Sequence, residues 1–154
     1  LDISATDNNT IQVDNDINIL FLTPLKNQSL ESSNNQSIAV KISYKEVDFL
    51  LTGDLEKEME SKLLQTYSHQ LKSEILKLGH HGSKTSSILP FLKTVNPQLG
   101  IVSCGFKNKF KHPHPSVIQN TQLNNIKILR TDLNGAIEIK TNGFSYSVKK
   151  HLSF

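Results

Sequence analysis

Three times along this chain a short, β-favouring apolar run gives way to a polar stretch marked by glycine or proline and then to a segment of helical character. That alternation restricts the fold to a sheet with helices packed against it. The first instance is Val47 to Thr52, followed by Gly53-Asp54 and then by Leu55, Met59, Leu63 and Tyr67. Their four-residue spacing puts them near one face of a helix running from Leu55 to Tyr67. The second is Ile75 to Leu78, then a loop from Gly79 to about Ser87 that is too polar for either regular element, then a helix from about Ser87 to Val95. Pro90 is tolerated there because it falls in the first turn, where its missing N–H has no helical partner to lose. The third is Leu99 to Ser103, a lysine-rich loop, and a helix from Pro115 to about Leu123, with Ile126 to Leu129 returning to strand.

Around this middle the chain reads as β-structure. Ile17 to Leu22 is a buried strand stopped at Thr23-Pro24, Lys26 to Gln36 is a loop, and Ile38, Val40 and Ile42 alternate in a second strand. The short Lys45-Glu46 connection joins that strand to Val47–Thr52 as a hairpin. At the end, Ala136 to Thr141 and Phe144 to Lys149 alternate around Asn142-Gly143, a dipeptide suited to a type I′ turn. The fold class is therefore α/β. At 154 residues the chain is one domain in size, with no apolar run of about 18 residues that would mark a membrane span. Its net charge of +3 and pI near 9.0 suit a polyanionic partner without requiring one. Cys104 is alone, so it forms no intramolecular disulfide, and its simplest reading is a small buried residue at a strand end. The polar opening, starting at Leu1, reads as a piece of something longer.

Candidate chemistry sits where apolar runs end. Asp54 follows one such run, where α/β proteins collect ligand-binding groups; it is a metal-ligand candidate, with a helix N-cap as the simpler alternative. His80-His81 follows another, and adjacent histidines cannot both point the same way. One is a ligand and the other a support or substrate contact, unless both are solvated loop residues. Ser83, Lys84, Thr85 and Ser86 add hydroxyls, a cation and a following helix N-terminus, all suited to phosphate. Lys107, Lys109 and Lys111 alternate with Phe106 and Phe110 ahead of His112-Pro113-His114-Pro115, either a nucleic-acid-facing loop or a solvated one. His112, fixed by the prolines, is the catalytic candidate. His69 and His151 read as surface residues, and Arg130-Thr131-Asp132 as a phosphate contact or, for Asp132, a surface turn.

Leu51-Thr52-Gly53-Asp54, Leu76 to Ser86 with its Gly79-His80-His81-Gly82-Ser83 core, His112-Pro113-His114-Pro115 and Arg130 to Ala136, in this order, closely resemble the C-terminal domain of the ComEC family of DNA-uptake proteins. The similarity covers roughly Ser37 to Ile137, with a looser match back to Pro24. It implies the C-terminal part of a metallo-β-lactamase-like αββα sandwich, bound divalent metal, and hydrolysis of phosphodiester bonds in single-stranded DNA. Zinc and manganese both suit imidazole and carboxylate ligands. By the same resemblance Asp54 is a metal-bridging carboxylate, His80 or His81 a late histidine ligand, and His112 a residue near the scissile phosphate. Ser83, Lys84, Thr85, Ser86, Lys109 and Lys111 would contact substrate. The H-x-H-x-D-H segment that supplies most ligands in such domains is absent, since the one His-x-His here is His112-Pro113-His114. The expectation is therefore that this chain is inactive alone. Its partner would be the upstream half of the same domain or a second copy of the chain, covering an otherwise bare apolar sheet face. The parent protein is expected in the cell membrane with this domain extracytoplasmic, and the isolated chain soluble. A catalytically silent DNA-binding module and a metallo-β-lactamase-fold hydrolase of a small substrate are the alternatives.

Overall fold

The computed structural model describes residues 4–6, 9–25 and 32–152. Eight strands form one sheet in chain order: β1 (Ser4–Thr6), β2 (Thr10–Asp14), β3 (Ile17–Phe21), β4 (Val40–Tyr44), β5 (Val47–Leu51), β6 (Ile75–Lys77), β7 (Leu99–Val102) and β8 (Lys127–Arg130). Each pair from β1 to β5 is antiparallel, and each from β5 to β8 is parallel. The parallel crossovers run through α1 (Lys57–Tyr67), α2 (Leu89–Val95) and α3 (Pro115–Leu123). A single turn, α4 (Thr131–Asn134), leads to a separate antiparallel ribbon of β9 (Ile137–Thr141) and β10 (Tyr146–Lys150). The α/β expectation holds.

The two faces of the sheet are covered differently. Leu55, Met59 and Leu63 of the first helical segment join Phe91, Leu92, Val95 and Val117 over Leu50, Leu76, Leu78 and Val102 in the larger core. On the opposite face Val47, Ile75, Leu99 and Leu129 are buried, with Ile137, Ile139 and Tyr146 of the ribbon packed on them. Register makes that second face continuous, because Ile19, Ile42, Phe49, Ile75 and Leu99 are successive cross-strand partners. Directly paired residues share a face. The ribbon lies over the parallel half, so at β3 and β4 Ile19, Phe21, Val40 and Ile42 are only half-buried. This corrects the reading of Ile17 to Leu22 as a fully buried run: Leu22 is buried, but β3 itself is not.

Other boundaries shift for identifiable reasons. β1 and β2 lie in a stretch read as merely polar. Ile38 is 61% exposed and outside β4. Of the loop expected from Lys26 to Gln36, residues 26–31 lie outside the described residues, and Asn34–Gln36 form a 3-10 turn. The type I′ turn at Asn142-Gly143 does not form. Thr141 pairs with Tyr146, leaving a four-residue loop in which Gly143 alone has positive φ (90°). The Asn142 side chain takes over the turn by accepting from the N–H groups of Phe144 and Ser145, each at 3.0 Å.

Candidate functional site

The parallel strands β5 to β8 end on one rim, and the residues just past them are Asp54, His80-His81, Ser103-Cys104 and Thr131-Asp132. Asp54 does not cap α1. The N-cap is Glu56, and its side chain makes no cap bond. The Asp54 carboxylate instead faces His81, with Oδ1 3.5 Å from Nε2. On the other side of the ring, Nδ1 lies 2.6 Å from the Ser103 carbonyl oxygen. A carbonyl only accepts, so Nδ1 carries a proton and Nε2 is the nitrogen turned toward Asp54. Two ligands bound at about 2.0–2.2 Å to one tetrahedral ion stand roughly 3.3–3.6 Å apart, so Asp54 and His81 fit two positions of one metal shell. Among the described residues no group of three His, Cys, Asp or Glu side chains converges to hold an ion.

His80 is turned elsewhere. His80, His81 and Gly82 have φ of 43°, 56° and 77°, a left-handed run that sends the neighbouring imidazoles in different directions. For non-glycine residues such backbone costs on the order of 1–3 kcal/mol each and persists only where the surroundings hold it. Here the Ser86 hydroxyl donates to Gly79 O at 2.8 Å, His80 N–H donates to Gly53 O at 3.2 Å, and His114 N–H donates to Gly82 O at 2.8 Å. His80 Nδ1 sits 3.2 Å from Glu56 Oε1, and the same oxygen accepts from the Thr85 hydroxyl at 2.7 Å. The Thr85 bond is the main reason the Glu56 carboxyl is held below its ordinary value; burial opposes it, while Ser32, Asn34 and His80 assist.

Gly79 underlies this geometry, since a Cβ there would stand 2.6 Å from the Leu55 carbonyl oxygen, a backbone atom that cannot rotate away. Gly79→Ala is expected to lower stability by about 1–3 kcal/mol. A urea midpoint unchanged from the parent would show that the loop tolerates displacement.

The hydroxyls expected to meet phosphate mostly tie the loop to itself. Ser83 and Ser86 are buried, the Ser86 hydroxyl is bonded to Gly79 O, and the Thr85 hydroxyl is spent on Glu56. Of the four, Lys84 is the exposed one. The helix N-terminus that follows is also taken: the fully buried Glu60 accepts from Ser87 N–H at 2.6 Å and Ile88 N–H at 2.9 Å, filling with the protein's own carboxylate the place an anion would use.

The loop between β7 and α3 carries exposed Phe106 and Phe110, with Lys107 Nζ 5.3 Å and Lys109 Nζ 5.0 Å over their respective rings. Asn108 clamps His112, its amide donating to His112 O and accepting from His112 N–H, both at 2.8 Å. The His112 ring stands 6.0 Å from that of His80 and stacks on Phe110 at 5.6 Å. Burial, then the neighbouring His80, His81 and His114, push its pKa below the usual imidazole value. His114 instead caps α3, Nδ1 accepting from Ser116 N–H at 3.3 Å. On the far side of the loop, Lys107, Lys109, Lys111 and Arg130 border a groove of about 580 Å³.

Three further groups had no local sequence signal. Glu56 and Glu60 meet partners more than 20 residues away. Lys77 bonds Gly53 O at 3.0 Å beneath Asp54; burial lowers its pKa and Asp54 partly restores it. Asp132 is no surface turn, because its side chain is 7% exposed, binds Arg130 through two bonds and accepts from the Cys104 thiol. Cys104 is itself only partly buried, with its pKa pushed up to about 11, chiefly by burial and then by Asp132. His69 and His151 are exposed, as expected.

No protein-family model matches the chain. It is 39% identical to ComE operon protein 3 of Bacillus subtilis over 109 residues, 71% of this chain and 14% of that protein. It is 38% identical to competence protein ComA of Neisseria gonorrhoeae over 77% of this chain and 17% of the relative, and 32% identical to recombination protein 2 of Haemophilus influenzae over 70% and 13%. The chain therefore spans about a seventh of the length of these relatives. With relatives 32–39% identical over more than two thirds of its length, the chain belongs to the ComEC competence family.

Proposed function

We propose that this chain is the part of a metallo-β-lactamase-like nuclease domain that supplies Asp54 and His81 to a metal centre, and that the complete domain hydrolyses phosphodiester bonds of single-stranded DNA during uptake. The observation that carries the reading is the Asp54–His81 pair, with Oδ1 and Nε2 at 3.5 Å and the opposite ring nitrogen pinned to a carbonyl. A divalent ion such as zinc or manganese, when bound, supplies charge to the phosphate and a water acidic enough to ionise near neutral pH. The chain's own residues have other tasks. Glu56 orients His80 beside the site, Asn108 holds the His112 backbone so that its imidazole faces the scissile phosphate, and Lys84, Lys109 and Lys111 meet the DNA backbone.

Two converging donors are fewer than a structural or catalytic ion needs, which supports a shell completed from outside this segment. The half-buried apolar face at β3 and β4 is where the upstream half of the domain, or a second copy of the chain, would pack. Among the described residues no helix is long and apolar enough to cross a membrane; the membrane attachment we propose lies in the remainder of the parent protein, with this domain outside the cytoplasm. The small donor set also favours a second reading, in which the chain binds DNA without cleaving it. Single-stranded oligonucleotide incubated with the full parent protein and manganese or zinc separates the two. Cleavage that a chelator stops is the expected result, with the 154-residue chain alone inactive. Binding by the parent protein without cleavage under any of these metals would leave the binding-module reading.

A further inference from the structure

Beside the imidazoles, between His81 and the lysine loop, lies a cavity of about 340 Å³. Ligand pockets run from about 300 to 1,000 Å³, so this one has room for a single nucleoside-sized group. Phe110 and His112, stacked at 5.6 Å with their planes 26° apart, supply an aromatic wall. Gly105 leaves space on the lining, with no atom within 4 Å of where a Cβ would stand. Of the polar side chains there, those of Asn108, Thr131 and Cys104 are already committed. Asn108 donates to Gly105 O and His112 O and accepts from His112 N–H. The Thr131 hydroxyl donates to Cys104 O and accepts from Cys104 N–H, and the Cys104 thiol donates to Asp132. A lining of this kind offers a flat apolar surface and few groups able to read a base edge.

We propose that this cavity is a nucleobase subsite, in which the base next to the scissile phosphate stacks on the Phe110–His112 wall without its sequence being read. The inference rests on the single-stranded DNA reading above and deepens it. Lys107, Lys109 and Lys111 border the separate groove across the loop, where the phosphates of a strand leaving the cavity would meet them. Aromatic stacking is tolerant of sequence because every base has a π-face. The pocket therefore suits an enzyme or channel that must accept any strand.

The chain contains no tryptophan, so Phe110→Trp introduces a single emitter at the wall. Phe110 is 66% exposed, which lets this variant and Phe110→Ala fold as the parent does. The probes are an oligothymidylate and the same oligomer built from abasic sites. Phe110→Ala should weaken oligothymidylate binding by about 5- to 100-fold, the equivalent of one base–aromatic stack, and leave the abasic oligomer unaffected. In the Phe110→Trp variant, indole emission should be quenched by the first oligomer and not by the second. Oligodeoxyadenylate and oligodeoxycytidylate should bind within about tenfold of oligothymidylate. Equal losses on both oligomers, unquenched emission at saturating oligothymidylate, or strong preference for one base would overturn the subsite while the DNA reading stands. Failure of every oligomer to bind the full parent protein would overturn both.

Discussion

His81→Ala and Asp54→Ala should each reduce the proposed metal-dependent cleavage of single-stranded DNA by the full-length protein by more than about 100-fold, whereas His80→Ala should cost only about 10- to 100-fold, the range for a partner one shell out from a metal. The two histidines are adjacent and their backbone angles are alike, so the difference rests on what each ring meets. His81 has one nitrogen fixed by the Ser103 carbonyl and the other turned toward Asp54. His80 has its Nδ1 against Glu56 and Thr85. Neither Asp54 nor His81 is packed in the core, their side chains being 40% and 46% exposed, so both alanine variants should melt close to the parent temperature. Cleavage of a labelled oligonucleotide and the metal content of each purified variant are the measurements. A His80→Ala protein that loses metal and activity while His81→Ala keeps both would reverse the assignment.

Which of these features can be read along the chain follows from where each one's partners lie. Asp54 and His81 stand immediately past apolar runs, and parallel strands bring their C-terminal ends to one rim, so their convergence is legible in local pattern alone. The face of α1 is legible for the same reason, because Leu55, Met59 and Leu63 share a spacing. The Glu56–His80 contact is not legible, since it joins residues separated by a helix and a strand. Nor is the capture of the α2 N-terminus by Glu60: a glutamate in an exposed-looking stretch of Lys57 to Lys62 reads as solvated until the fold turns it inward. The hydroxyls of Ser83, Thr85 and Ser86 illustrate the converse. Their composition suits phosphate, yet the left-handed turn at His80 to Gly82 consumes several of them as internal braces. The type I′ turn fails similarly, because the Asn142 side chain can satisfy two backbone N–H groups in a longer loop. Local rules identify the residues with chemical potential, and long-range hydrogen bonds decide which of that potential stays available.

The contribution of Glu60 to the stability of the chain should fall as pH rises from about 4.5 to about 7, and Glu60→Gln should remove that fall. Glu60 is fully buried, and burial pushes its pKa up to about 7, against an ordinary value of 4.5, even though the Ser87 and Ile88 N–H groups pull it down. Glu58 adds a small upward push. Because the folded value is the raised one, the folded state holds the proton more tightly than the unfolded chain. Its contribution is complete below about 4.5, declines through the window between the two values, and is gone above about 7. At about 1.4 kcal/mol per unit, the span corresponds to roughly 3 kcal/mol. Glutamine keeps the shape and one acceptor oxygen but has nothing to ionise. At pH 8 the variant should match or exceed the parent, whereas at pH 4.5 it should be weaker by about 1 kcal/mol for the acceptor it lacks. Glu60→Ala leaves both N–H groups without their acceptor and should be weaker at every pH, by about 2–5 kcal/mol. Urea unfolding of the parent and both variants from pH 4 to pH 8 is the test, read as the difference between curves so that the histidines and other carboxylates cancel. A parent-minus-glutamine difference that stays constant across that range would mean the buried carboxylate is ionised throughout, with its two backbone hydrogen bonds outweighing burial.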